Sequence, residues 1–242
     1  MKIDLKRAQL LYQTSLSFPA FAFAKDTTVT VEKVYRAFSG AFRGLSLSDI
    51  SFANSNNLGE YTLRLLLFGG VGKIEFRLDG LRAEFDGLQS SGNVGIALES
   101  VRLAEGVLQE FSADIPTQGA TATLNVWYNC ENGMDGVIAR LNAATPTFSL
   151  TEKFGGATQA QYSVGGLLTN VDEGWSYQFA VEPSVNVDLG HLYLSITARH
   201  LTGGKYSSLD ERSAHFEQMA HTVLSTLDFQ YDDADAHNEH AG

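Results

Sequence analysis

Cysteine is almost absent from this chain of 242 residues. The single Cys130 rules out an intramolecular disulfide and any multi-thiolate metal centre, which fits a reducing, cytoplasmic compartment. Long hydrophobic runs are missing as well: none approaches the roughly 18 residues of a membrane span. There is no Asn-x-Ser/Thr glycosylation acceptor. Positive charge is in short supply, with 17 Lys plus Arg against 28 Asp plus Glu, a net charge of −11 and no basic cluster. Such a balance repels phosphate backbones and anionic membranes at long range, so neither nucleic acid nor a membrane is expected as a direct partner.

Proline is scarce at 4 residues while glycine reaches 23, a balance suited to many short strands joined by tight turns. With 44% hydrophobic residues the chain can bury a large core. At the N-terminus, Lys2, Lys6 and Arg7 precede a stretch whose small residues, Ala20, Ala22 and Ala24, mimic a signal-peptidase site. Gln9, Gln13, Thr14, Ser15 and Ser17 interrupt the would-be apolar segment, and Phe18 to Ala24 reads instead as a first strand.

The clearest local unit is a hairpin of Tyr61–Phe68 and Lys73–Leu78 around Gly69-Gly70-Val71-Gly72. A turn centred on Gly70-Val71 sets Leu63 against Leu78, Leu65 against Phe76 and Leu67 against Ile74, with Arg64 and Glu75 on the other surface. Leu81–Leu88 continues the meander. From Asn93 to Phe111, apolar residues recur at spacings of three and four, the mark of an amphipathic helix. The second half follows the same order. Thr121–Tyr128 reads as a strand and Met134–Ala143 as a short helix. Short strands follow at Phe148–Leu150 and Gln161–Val164, around Gly155-Gly156, then stronger ones at Trp175–Val181 and Leu192–Ala198. A final helix, Leu209–Phe229, is capped by Ser208.

These elements predict an α+β fold, a curved antiparallel sheet with long amphipathic helices on one face, of the kind seen in saddle-shaped and helix-grip folds. Two pseudo-repeated halves, residues 1–113 and 114–230, are expected, followed by an acidic flexible tail over 231–242.

No constellation of residues specifies catalysis. Gly69-Gly70-Val71-Gly72-Lys73 resembles the end of a phosphate-binding loop, but Ile74 stands where the magnesium-binding Ser or Thr belongs and a strand pattern follows instead of a helix. All six histidines fall after residue 190. Glu211 with His215 and Glu217 with His221 have i,i+4 spacing, yet the two pairs point about 240° apart around the helix and read as solvated surface pairs. Cys130 has no histidine near it in sequence and reads as a small core residue. No metal, cofactor or catalytic residue is therefore assigned. What remains is recognition: the outer face of the Leu192–Ala198 strand carries His191, Tyr193, Ser195, Thr197 and Arg199, a mixture able to stack, hydrogen-bond and pair charge. The expected function is a non-enzymatic protein-binding or adaptor protein engaging another protein, a peptide or a second copy of itself. A carrier or chaperone-like protein with an apolar cavity and an enzyme with an unrecognised site are the alternatives.

Overall fold

The computed structural model describes residues 1–53, 60–145 and 162–231. The fold is α+β, with an open antiparallel sheet in the order β2-β3-β4-β5-β1-β6-β9-β8-β7. The strands are β1 Lys2–Leu16, β2 Ile50–Ala53, β3 Thr62–Leu67, β4 Gly72–Arg77, β5 Gly80–Leu88, β6 Thr117–Cys130, β7 Val164–Asn170, β8 Trp175–Pro183 and β9 Leu192–Leu201. A two-residue strand, β10 Gln230–Tyr231, pairs in parallel with the start of β1. Five helices occur among the described residues: α1 Ala22–Lys25, α2 Thr27–Ala41, α3 Ser91–Phe111, α4 Gly133–Ala144 and α5 Leu209–Thr226. None of them is long and apolar enough to cross a membrane.

Strand alternation decides which face carries the helices. On β1, Ala8, Leu10, Tyr12, Thr14 and Leu16 are buried while Gln9, Leu11, Gln13 and Ser15 turn the other way. On β9 the buried set is Leu192, Leu194, Ile196, Ala198 and His200. Helix α3 lies over β5, β1 and β4, α4 over β6 and β8, and α5 over β9, while α2 packs against α3. Phe23 closes the β3–β5 side of the core, stacked on Phe76 with centroids 6.0 Å apart and edge-on to Phe111 at 5.5 Å. A side chain fully buried in this way stabilises the fold by roughly 1.5–3 kcal/mol. Side-chain caps fix the helix starts. Asp26 accepts from the backbone of Thr28 and Val29, Ser90 from Asn93, and Ser208 forms a reciprocal capping box with Glu211.

The first strand differs from the sequence expectation. Phe18–Phe21 leads into α1, and the strand is Lys2–Leu16, where Gln9, Gln13 and Ser15 form the side away from the helices while Thr14 is buried among the apolar residues. The hairpin register differs too. Phe68, Gly69 and Gly70 take positive φ in the turn, and Gly72 already belongs to β4. Leu63 therefore pairs with Phe76, Leu65 with Ile74, and Arg64 directly with Glu75. A two-residue shift keeps every side chain on its face, so the buried set is unchanged. The expected strand Phe148–Leu150, the Gly155-Gly156 break, Gln161 and the tail from Asp232 onward lie outside the described residues.

Two glycines flank Ser15 at the centre of the sheet. Gly80 on β5 (φ +152°) and Gly119 on β6 (φ +151°) both pair with it. A Cβ on Gly80 would lie 2.1 Å from the Thr14 carbonyl oxygen, whereas one on Gly87 (φ +71°) would meet open space. Gly80→Ala should therefore destabilise the protein by roughly 2–4 kcal/mol and Gly87→Ala by only about 1 kcal/mol. Urea unfolding of the two variants checks the ranking, and equal losses would contradict it.

Candidate functional site

Opposite the helices, the sheet presents a face that no described element covers, on which cross-strand register lines up polar side chains. One row crosses every strand from β2 at one edge to β7 at the other. It runs through Ser51, Arg64, Glu75 and Arg82 on β2 to β5, through Gln13 and Thr121 on the two central strands, and on through Arg199, Ser176 and Thr169. Every member is polar. On a face with no helix over it among the described residues, that composition lets water satisfy what the protein does not.

Beside this row a hydrogen-bond network fixes the side chains of β1, β6 and β9. Asn125 is its centre: its Oδ1 accepts from Tyr193 OH and Ser195 Oγ, each at 2.9 Å, and its Nδ2 donates to Gln9 Oε1 at 3.0 Å. Thr123 and Thr197 share a hydrogen bond of 2.9 Å. Trp127 packs against Tyr193 with centroids 5.1 Å apart, and the Arg7 guanidinium lies 5.9 Å from the Trp127 ring centroid. Arg7 also donates to both oxygens of Asp86, and those hydrogen bonds hold the Asp86 carboxyl below the usual carboxylate range.

Of the residues singled out on β9, Tyr193, Ser195, Thr197 and Arg199 share this face. His191 precedes the strand and is engaged by the backbone: its N–H donates to the Tyr128 carbonyl at 2.8 Å and its Nδ1 accepts the Cys130 N–H at 3.3 Å. Sequence reasoning missed Asn125, Gln9 and Arg82. The alternation of β6 was the available signal for Asn125. Gln9 and Arg82 become neighbours of β9 only through the placement of β1, which the sequence reading put elsewhere.

The helix side holds a second polar feature. Tyr12, Glu105 and Arg212 join β1, α3 and α5, with Tyr12 OH donating to Glu105 and Arg212 Nη2 lying 3.0 Å from each Glu105 oxygen. Burial, reinforced by Glu105, pushes the Tyr12 phenol well above its ordinary value. Next to this trio a cavity of about 60 Å³ lies between α3 and α5, lined by residues that include Leu10, Leu98, Leu124 and Phe216. That is far below the several hundred Å³ of a typical ligand pocket.

His215 is not the solvated surface histidine that its spacing suggested. It is buried, its Nδ1 within 2.9 Å of Tyr177 OH and its ring stacked on Tyr206 at 4.1 Å. Its expected partner Glu211 is taken by the backbone and hydroxyl groups of the α5 cap. Among the described residues no group of three or more His, Cys, Asp or Glu could hold a metal ion. Cys130 is buried, and burial pushes its thiol up to about 12, so it holds its proton at neutral pH. Lys73 sits within β4 between Glu75 and Glu84, which makes the glycine run before it a hairpin turn.

No family model and no curated protein matches the chain. Among solved structures, a TBP of Methanococcus jannaschii aligns over 94% of this chain and 98% of its own, at 11% identity and a TM-score of 0.26. A rolling circle replication initiator protein from Geobacillus stearothermophilus aligns over 82% and 74%, at 10% identity and a TM-score of 0.30. Likenesses of that size bear on neither fold nor function.

The buried groups generate two expectations. Glu105→Ala leaves the Arg212 charge without its partner and should cost about 3–5 kcal/mol in chemical denaturation, whereas Tyr12→Phe removes one hydrogen bond and should cost about 1 kcal/mol. His200, beside Tyr177, is held down to about 4, first by burial and then by the charges of Arg212 and His215. An unfolded histidine titrates near 6.5. As pH falls from about 6.5 to 4 the unfolded chain takes up a proton that the folded protein refuses, so stability declines across that window, by on the order of 1–3 kcal/mol. His200→Gln should flatten this part of the decline in urea midpoints measured from pH 7 to 4, and a decline as steep as that of the parent protein would sink the assignment.

Proposed function

We propose that the uncovered sheet face is a docking platform and that the protein is a non-enzymatic adaptor engaging another protein or peptide. The observation that carries this reading is the polar row across nine strands, flanked by the Asn125 network that holds Tyr193 and Ser195 in place before anything binds. A surface fixed in advance loses less side-chain entropy on association. Trp127, Tyr193 and Arg7, packed together, are of the residue types that anchor interfaces.

We further infer that the two halves repeat one plan on a curved sheet. In support, β1 and β6 lie side by side, and each begins a series of strand, helix, meander and long helix. The alternative of a carrier rests on the apolar cavity between α3 and α5, whose roughly 60 Å³ admits a larger ligand only if the helices part.

Photo-cross-linking distinguishes these readings. A cross-linker placed at Thr197 on the face should capture a defined partner in an extract of the native host, and one at Ser213 beside the cavity should not. Thr197→Trp should weaken the capture by at least about tenfold without lowering the unfolding midpoint by more than about 1 kcal/mol. Capture confined to the Ser213 position, or indifferent to Thr197→Trp, would overturn the platform.

A further inference from the structure

We propose that the occupant of the open face is an acidic, extended protein segment lying across the strands, two of whose carboxylates are received by Arg82 and Arg199. This rests on the reading of the face as a docking platform and names the chemistry of its partner. Arg82 on β5 and Arg199 on β9 stand in one cross-strand row, separated by Gln13 and Thr121. Both side chains are exposed, and among the described residues neither has an ion pair or hydrogen bond. Neighbouring cations of the face are already neutralised: Arg7 by Asp86, Arg64 by Glu75, and Lys73 by Glu75 and Glu84. On a chain of net charge −11, two guanidinium groups without an ion pair among the described residues, on a face that no described helix covers, select for an anionic ligand.

Spacing selects the form of that ligand. Three strand intervals separate the arginines, about 14 Å. In an extended chain, alternate residues share a face and the rise is about 3.4 Å per residue, so acidic side chains at i and i+4 also lie about 14 Å apart. The side chain at i+2 then falls over Gln13 and Thr121, which can donate and accept hydrogen bonds. A planar guanidinium takes a carboxylate through two parallel hydrogen bonds, which fixes orientation as well as charge. Glu75 and Glu84, interspersed on the same face, repel a backbone charged at every residue, whereas a protein segment can set neutral side chains over them.

Selection of a random-peptide display library on the full-length protein tests the proposal. Enriched peptides should carry Asp or Glu at i and i+4. Their affinity should fall about tenfold with Arg82→Gln or Arg199→Gln, further with both, and not at all with Arg102→Gln on exposed α3. Peptides lacking acidic pairs, or indifferent to both arginines, overturn the proposal; so does their displacement by single-stranded oligothymidylate whose own binding needs the same arginines. Cross-linking of the selected peptides separates the two levels of inference. Peptides that map to the face but ignore the arginines remove the acidic assignment alone, and peptides that map elsewhere remove the platform as well.

Discussion

The pairing of β1 with β6 is the constraint on which the other elements depend. Thirteen residues of β1, from Ile3 to Leu16, are registered against β6, and each strand carries a further neighbour on its outer edge: β5 on one side, β9 on the other. Without this ladder the β2–β5 meander and the β7–β9 meander would be two small sheets, each with an exposed edge. The junction tolerates little variation. Gly80 and Gly119 approach Ser15 from both sides, each with a positive φ near 150° that leaves no room for a side chain, and Thr14 reaches across to the Gly119 carbonyl. At the far end β10 returns to pair with Lys2 and Ile3, so the chain after α5 is fastened to the strand that begins the fold.

β1 and β6 line the floor of the gap between the two long helices, α3 lying over β5, β1 and β4 and α5 over β9, so the separation of α3 and α5 follows from the sheet. Tyr12, Glu105 and Arg212 span that gap. Buried ion pairs of this kind often add little net stability over an apolar filling of the same shape, since desolvation offsets the attraction. Their value lies in geometry: Glu105 accepts from β1 and α5 together, which ties the position of α5 to that of α3. The small cavity beside the trio is the remaining space where two helices are held apart by polar groups instead of interdigitated side chains.

Much of this architecture was legible in the sequence, and the failures share a cause. Spacings of three and four located α3, and Ser208 with Glu211 marked the start of α5, because both signals are local. Alternation placed β8 and β9 correctly. It failed on β1, where Gln9 and Gln13 look like breaks in an apolar segment unless the strand is known to have a wet face, and where buried Tyr12 and Thr14 blur the contrast. Misplacing β1 concealed the candidate site as well. Tyr193, Ser195, Thr197 and Arg199 were visible as one strand's outer face, but Asn125, Gln9 and Arg82 join them only through register between strands distant in sequence. His215 was misread for a similar reason, since Tyr177 and Tyr206, which enclose it, come from elements that its own helix does not reveal.

The chemistry of the open face follows from how its polar groups are already engaged. Asn125 uses its carbonyl oxygen twice and its amide once, which fixes the amide orientation and draws Tyr193, Ser195 and Gln9 into a single arrangement. Tyr193 and Ser195 donate their hydroxyl protons to an amide oxygen, which is no base, and the Asp86 carboxyl is stabilised as an anion by Arg7. Rigidity of this kind favours a function in which groups are held at set positions for a partner to match. Within it, Arg82 and Arg199 differ from Arg7, Arg64 and Lys73: among the described residues neither guanidinium has an ion pair, so both keep their donors turned to solvent.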